Sequence, residues 1–176
     1  MGNSAHENKS WAASVIYKLK PKTVLDIGPG EGIYGKIVRK YSPSTEKLVG
    51  VEIWAPYIES FRLREFYDEV WVCDARLYSD FKYDLVILGD VLEHMSKEDA
   101  IALWNKISKQ AKYALISIPI THFHQDAANG NPYETHVKED WTTKEVLDSF
   151  HSIILKHEFS ITGTYLAKFD KPKKKK

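Results

Sequence analysis

The stretch that most restricts the fold is residues 23–35, TVLDIGPGEGIYG. Val24, Leu25 and Ile27 make a short apolar run around Asp26, the pattern of a parallel strand buried on both faces. Gly28, Gly30 and Gly32 alternate after it, so the backbone can take positive φ and a ligand can approach without meeting a Cβ. Ile33, Tyr34, Ile37 and Val38 then recur at helical spacing, which sets the free N–H groups of a helix N-terminus over the turn. Strand, glycine turn and helix form a nucleotide-binding corner of an α/β fold.

Charge narrows the ligand. Asp26 and Glu31 flank the turn, and two carboxylates repel a diphosphate but welcome a cation. The dinucleotide fingerprint G-x-G-x-x-G needs its third glycine at position 33, where this chain has Ile33. GPGEG after a strand ending in Asp resembles motif I of the class I S-adenosylmethionine-dependent methyltransferases. Their cofactor carries a sulfonium and an ammonium, which suits the two acids. The resemblance implies a doubly wound, Rossmann-like α/β fold with a seven-stranded sheet, mostly parallel with a reversed last strand. It also implies S-adenosyl-L-methionine as cofactor and S-adenosyl-L-homocysteine as product.

The 176 residues fit one domain over residues 1–169, followed by a lysine-rich tail at 170–176 that reads as a disordered solubilising end. A single cysteine, Cys73, excludes an internal disulfide and a cysteine-rich zinc module. No run approaches the ~20 apolar residues of a membrane span, and the first ten residues lack a signal peptide's apolar core, so a cytoplasmic protein is expected. Gly2 after Met1 resembles a myristoylation start, but position 6 is His6 rather than Ser or Thr. Of the net charge of +1, the tail carries +4, which leaves about −3 on the body. That balance, with four arginines in all, argues against a duplex-binding surface.

Along the chain, a helix over residues 9–19 is expected to cover the sheet or the cofactor mouth. The second strand, KLVGVE, ends in Glu52, an acid placed to accept both ribose hydroxyls. A helix is expected over 53–64 and a third strand over 69–73, followed by Asp74. The resemblance implies that Asp74 accepts the adenine amino group and that the backbone at Ile53 and Ala75 contributes to the adenosine site. A fourth strand over 83–88 leads into GDVLEHM, which sets Asp90, Glu93 and His94 beyond a strand's carboxyl end. DVLEH resembles the fourth motif of small-molecule methyltransferases of the quinone-biosynthesis type, and differs from the N/D-P-P-Y motif of amine-methylating DNA and RNA enzymes. The cofactor-binding set is thus Asp26, Gly28, Gly30, Gly32, Glu52, Ile53, Asp74, Ala75 and Asp90.

A helix over 96–110 opens with a capping box, Ser96 and Asp99, and a fifth strand over 113–118 ends at Pro119. Residues 119–140 then show no helical or strand period. Their content of His, Asn, Tyr and Glu marks a lid and acceptor pocket. A helix over 141–149 and strands over 151–157 and 160–168, paired as an antiparallel hairpin, complete the chain. The loop with GPGEGIYG and VEIWAPYIE resembles a small bacterial and phage-type subgroup of these methyltransferases carrying a GNPYExH loop.

Methyl transfer to a hydroxyl needs a general base, and histidine suits neutral pH. His136 is the first candidate, with His94 and Glu93 next. His122, His124 and Asp126 share the loop, but the H-x-H spacing is too close for a usual zinc pair, so no metal ligand is assigned. Asn129, Asn131, Tyr133, Glu134 and His136 are groups that recognise polyols. The expected activity is O-methylation of a small-molecule, sugar-like acceptor. A nucleic-acid methyltransferase using the lysine tail and a non-catalytic cofactor-binding module are the alternatives.

Overall fold

The structure is a computed structural model that describes residues 8–170, so residues 1–7 and most of the lysine tail lie outside it. Seven strands, β1 (Thr23–Ile27), β2 (Lys47–Glu52), β3 (Glu69–Val72), β4 (Leu85–Gly89), β5 (Tyr113–Pro119), β6 (Ile153–Glu158) and β7 (Thr162–Lys168), form one sheet in the order 3-2-1-4-5-7-6. β7 runs antiparallel to both β5 and β6, and the other pairings are parallel. The reversed last strand is as expected. Its place between β5 and β6 follows from the hairpin: β6 and β7 turn at Phe159, whose N–H donates to the Thr162 carbonyl, and β7 then docks along the whole of β5.

Helices cover both faces. α1 (Lys9–Leu19), α2 (Ile33–Tyr41) and α3 (Pro56–Ser60) pack Ile16, Val38 and Ile58 on one face, with Val24, Ile87 and Leu115 of the sheet. α4 (Lys97–Ser108) and α5 (Thr143–Ser149) pack Leu103, Trp104 and Val146 on the other, with Leu25, Leu88 and Ile116. Alternate residues of each central strand thus enter opposite cores, which explains their near-continuous apolar sequence.

Beyond shifts of one or two residues at element ends, two elements differ from the sequence expectation. The helix expected over 53–64 is only α3: Pro56 opens it, and Arg62 at φ 53° breaks the chain into a 3-10 turn at Leu63–Glu65. At α4, Ser96 does accept the Asp99 N–H at 3.1 Å, but the Asp99 carboxylate bonds Arg76 instead of closing the capping box. A guanidinium is a stronger partner than a backbone amide.

One close packing sets the sheet's centre. A Cβ on Gly89 would lie 1.9 Å from the ring of buried Tyr34, so β4 and α2 approach as they do only because that position has no side chain. Gly89→Ala is expected to cost about 1–3 kcal/mol by overpacking. Urea unfolding of the two proteins checks this, and an unchanged midpoint would show that the ring yields freely.

Candidate active site

A cavity of about 470 Å³ opens at the carboxyl ends of β1, β2 and β4. Its floor is the glycine turn. A Cβ on Gly28 at φ +64° would fall 2.7 Å from a Val91 methyl, whereas one on Gly30 at φ +51° would meet only the Gly28 carbonyl oxygen, at 4.0 Å. Bare backbone therefore faces the cavity, as close approach by a ligand requires. Glu52, at the end of β2, accepts the Gly30 N–H at 3.3 Å and the Trp54 N–H at 2.8 Å. Burial raises its carboxyl above the ordinary range while those backbone donors pull it back. Ile53 and Ala75 lie in the same wall.

Asp74 is clamped by Arg76, whose Nη2 lies 2.6 Å from Oδ2 and whose hydrogen bonds hold the carboxyl below its usual range. The acid expected to read an adenine amino group already has a partner, so Arg76 belongs to that end of the site. Cys73 is half-buried in the wall and donates to the Asp74 carbonyl at 3.2 Å. Asp90 sits at φ +59°, accepting Ser117 Oγ at 2.7 Å and Lys9 Nζ at 3.1 Å. Burial would lower the Lys9 ammonium, but Asp90 and Tyr34 hold it above its ordinary value. Lys9 was missed in the sequence: it reads as an exposed polar residue at a helix start, and only the docking of α1 carries it inside.

Asp26 and Gly32 do not line the cavity. Along β1, Val24 and Asp26 point to the face where Tyr67 lies, and Leu25 and Ile27 to the other. Asp26 is fully buried, and the Tyr67 hydroxyl, which also accepts the Gly35 N–H at 3.1 Å, donates to it at 2.5 Å. Its role is to brace the start of α2 against Tyr67. Gly32 is the residue before α2, at φ +71°, where a Cβ would crowd Leu63 at 3.1 Å.

From residues 120–140, Phe123, Gln125, Asn131, Glu134 and His136 stand in the far wall. The Glu93 carbonyl accepts the Val137 and Lys138 N–H groups at 2.8 and 3.0 Å, joining this loop to the 3-10 turn Leu92–His94. Tyr57 donates to Glu134 at 3.0 Å, tying the loop to α3 as well. His94 and His136 meet edge to face, 4.9 Å between centroids, with Glu93 beneath. His122 and His124 instead turn outward and both meet Glu139, His124 at 2.6 Å. The wall carries Glu31, Glu52, Asp74, Asp90 and Glu134 against the cations Lys9 and Arg76. This suits a cationic ligand and disfavours a polyphosphate.

The sequence model of a family described as a methyltransferase domain matches residues 7–158. The chain belongs to that family. It is a class I S-adenosylmethionine-dependent methyltransferase, and its sheet is that of the class. An S-adenosylmethionine-dependent methyltransferase from Clostridium acetobutylicum is similar in fold, with 14% identity, 92% of this chain and 90% of that one covered, and a TM-score of 0.69. An O-methyltransferase family protein from Burkholderia thailandensis is 16% identical with a TM-score of 0.64; the match covers 93% of this chain but only 56% of that protein. The N-terminal domain of EvdMO1, solved in the presence of SAH and D-fucose, is 11% identical, with 94% and 84% covered and a TM-score of 0.67. No curated protein matches the chain. Among the described residues of the methyltransferase, no helix is long and apolar enough to cross a membrane.

Burial outweighs the Tyr67 and Lys9 contributions at Asp26 and raises its carboxyl to about 7. The unfolded chain loses that proton near pH 4, the folded methyltransferase only near 7. Between those values the native state holds the extra proton, so this group makes stability fall with rising pH, by up to about 1.4 kcal/mol per unit. Asp26→Asn is expected to flatten the decline. Melting temperatures of both proteins from pH 4 to 8 check it, and parallel curves would refute it.

Proposed function

We propose that the chain methylates a hydroxyl oxygen of a small, sugar-like acceptor. The observation that carries this reading is the single cavity running from the glycine turn to the imidazole pair. One end has the bare backbone, Glu52 and the acidic wall that fit S-adenosylmethionine, and the other has amides, a phenol and two histidines. Glu52 would accept the ribose hydroxyls, Ile53, Asp74 and Ala75 would surround the adenine, and Gly28, Gly30 and Asp90 would lie along the methionine part. When bound, S-adenosylmethionine supplies a methyl group on a sulfonium; the acceptor oxygen forms the C–O bond and the S–C pair stays on sulfur.

His136 would take the hydroxyl proton. Its Nδ1–H donates to the Phe123 carbonyl at 2.7 Å, which leaves the lone pair on Nε2, and burial lowers the ring's pKa so that it is neutral near pH 7. His94 is held alike, Nδ1 on the Thr135 carbonyl at 3.1 Å. Asn131 and Gln125 at this end donate to Glu134 and leave it ordered beside the acceptor space. The D-fucose present with the EvdMO1 domain supports a sugar-like acceptor.

Labelled methyl transfer from S-adenosylmethionine to a panel of 6-deoxyhexoses and their glycosides tests the proposal. Transfer to oxygen is expected; a protein that binds ATP or NAD but not S-adenosylmethionine would overturn it. Glu52→Gln is expected to weaken cofactor binding by roughly 1–3 kcal/mol in calorimetry, the scale of a lost charge-assisted hydrogen bond. His136→Ala is expected to leave that affinity intact and slow turnover by about 10²–10⁴-fold. Equal loss of both in the His136 variant would make the residue architectural.

A further inference from the structure

We infer that Glu93, His94 and His136 form a binding site for one divalent transition-metal cation, which holds the acceptor oxygen beside the methyl donor. The inference deepens the methyltransferase reading and rests on it for the acceptor's role. A ligand atom from each residue lies within 4.8 Å of the other two. Bonds of ~2.1 Å hold ligands ~3 Å apart at right angles and ~3.4 Å apart in a tetrahedron, so closure by at most roughly 2 Å completes the set.

Three further observations point to a ligand. Glu93 is 1% exposed, and its Oε2 has no hydrogen-bond partner among the described residues. A buried, orphaned carboxyl oxygen is costly, and few groups would repay it better than a cation. Both imidazoles give Nδ1–H to backbone carbonyls, of Thr135 and Phe123, which leaves each Nε2 with its lone pair. A carbonyl on the far ring nitrogen is how proteins orient histidine ligands. Finally, the bonds from Val137 and Lys138 to the Glu93 carbonyl clamp the two ligand-bearing segments together, so the set does not depend on the cation for its assembly.

Two imidazoles and a carboxylate suit Mn²⁺, Fe²⁺, Co²⁺, Ni²⁺ or Zn²⁺ and leave coordination positions for substrate. The site lies in the cavity wall beside Gln125 and Asn131, so those positions are where a diol's two oxygens would sit. The bond changes at carbon and sulfur are as above. The difference is the proton: a cation-bound hydroxyl is more acidic and releases it to water, while His136 acts as ligand rather than base.

The full chain, stripped with chelator, is titrated with Co²⁺ and Mn²⁺ by calorimetry, and the Co²⁺ form is read by visible absorption. One cation per chain is expected, with a tenfold or greater loss of affinity in Glu93→Gln and in His136→Ala, and no change in the double variant His122→Ala/His124→Ala. S-adenosylmethionine binding in each variant reports that it is folded. No stoichiometric binding, or binding lost only in the His122/His124 variant, would overturn the site. Methyl transfer undiminished by chelator would overturn the cation's role and leave His136 as the direct base. Stoichiometric cation binding without S-adenosylmethionine binding would support the site and overturn the methyltransferase reading alone.

Discussion

The cavity exists because β1 and β4 are parallel neighbours whose chains leave for opposite faces of the sheet. Val24 pairs with Leu85 and Ile27 with Leu88, yet the chain after β1 packs as α2 on one face and the chain after β4 packs as α4 on the other. Their carboxyl ends are left without a cover, the topological switch point where open α/β sheets bind ligands. Both chains must turn at once, and both do so through positive φ, at Gly28 and at Asp90. Glycine takes that conformation at little cost; an aspartate does so at some cost, offset here by Ser117 and Lys9 on its two oxygens.

A second junction makes the site out of distant segments. The 3-10 turn after β4 and the loop after β5 are about forty residues apart in sequence, and the Glu93 carbonyl joins them by taking two N–H groups from the loop. His94 and His136 are each tied by Nδ1 to a carbonyl of the loop, of Thr135 and Phe123, so both rings have one orientation and one favoured tautomer. A long loop, with one 3-10 turn at Pro132–Glu134, is thereby anchored where the two imidazoles meet, as a reactive geometry demands.

Much of the sheet was legible because burial on two faces leaves a plain mark: VLDI, LVGV, LVIL and ALISI are short, near-continuous apolar runs. α1 was legible to the residue, since its apolar spacing is sustained for three turns and ends before Pro21. The helix over 53–64 was overread because Trp54, Tyr57 and Ile58 carry helical spacing through a stretch that Pro56 and Arg62 cut at both ends. Asp26 was misplaced for a different reason. A carboxylate before a glycine turn looks directed at the ligand, but the pleat of β1 sends it under the turn to Tyr67, 41 residues away.

By itself the sequence determined the class of fold and the kind of pocket: strand, glycine turn and helix restrict the backbone locally, and acids at strand ends restrict the charge of what lies there. Tertiary structure alone decided which acids face the ligand, that Lys9 enters the site, and that His136 meets His94 and Glu93 rather than His122 and His124. The reason is physical. Backbone conformation and burial are properties of neighbours along the chain, whereas side-chain convergence depends on pleat, loop path and hydrogen bonds between segments that the chain order does not bring together.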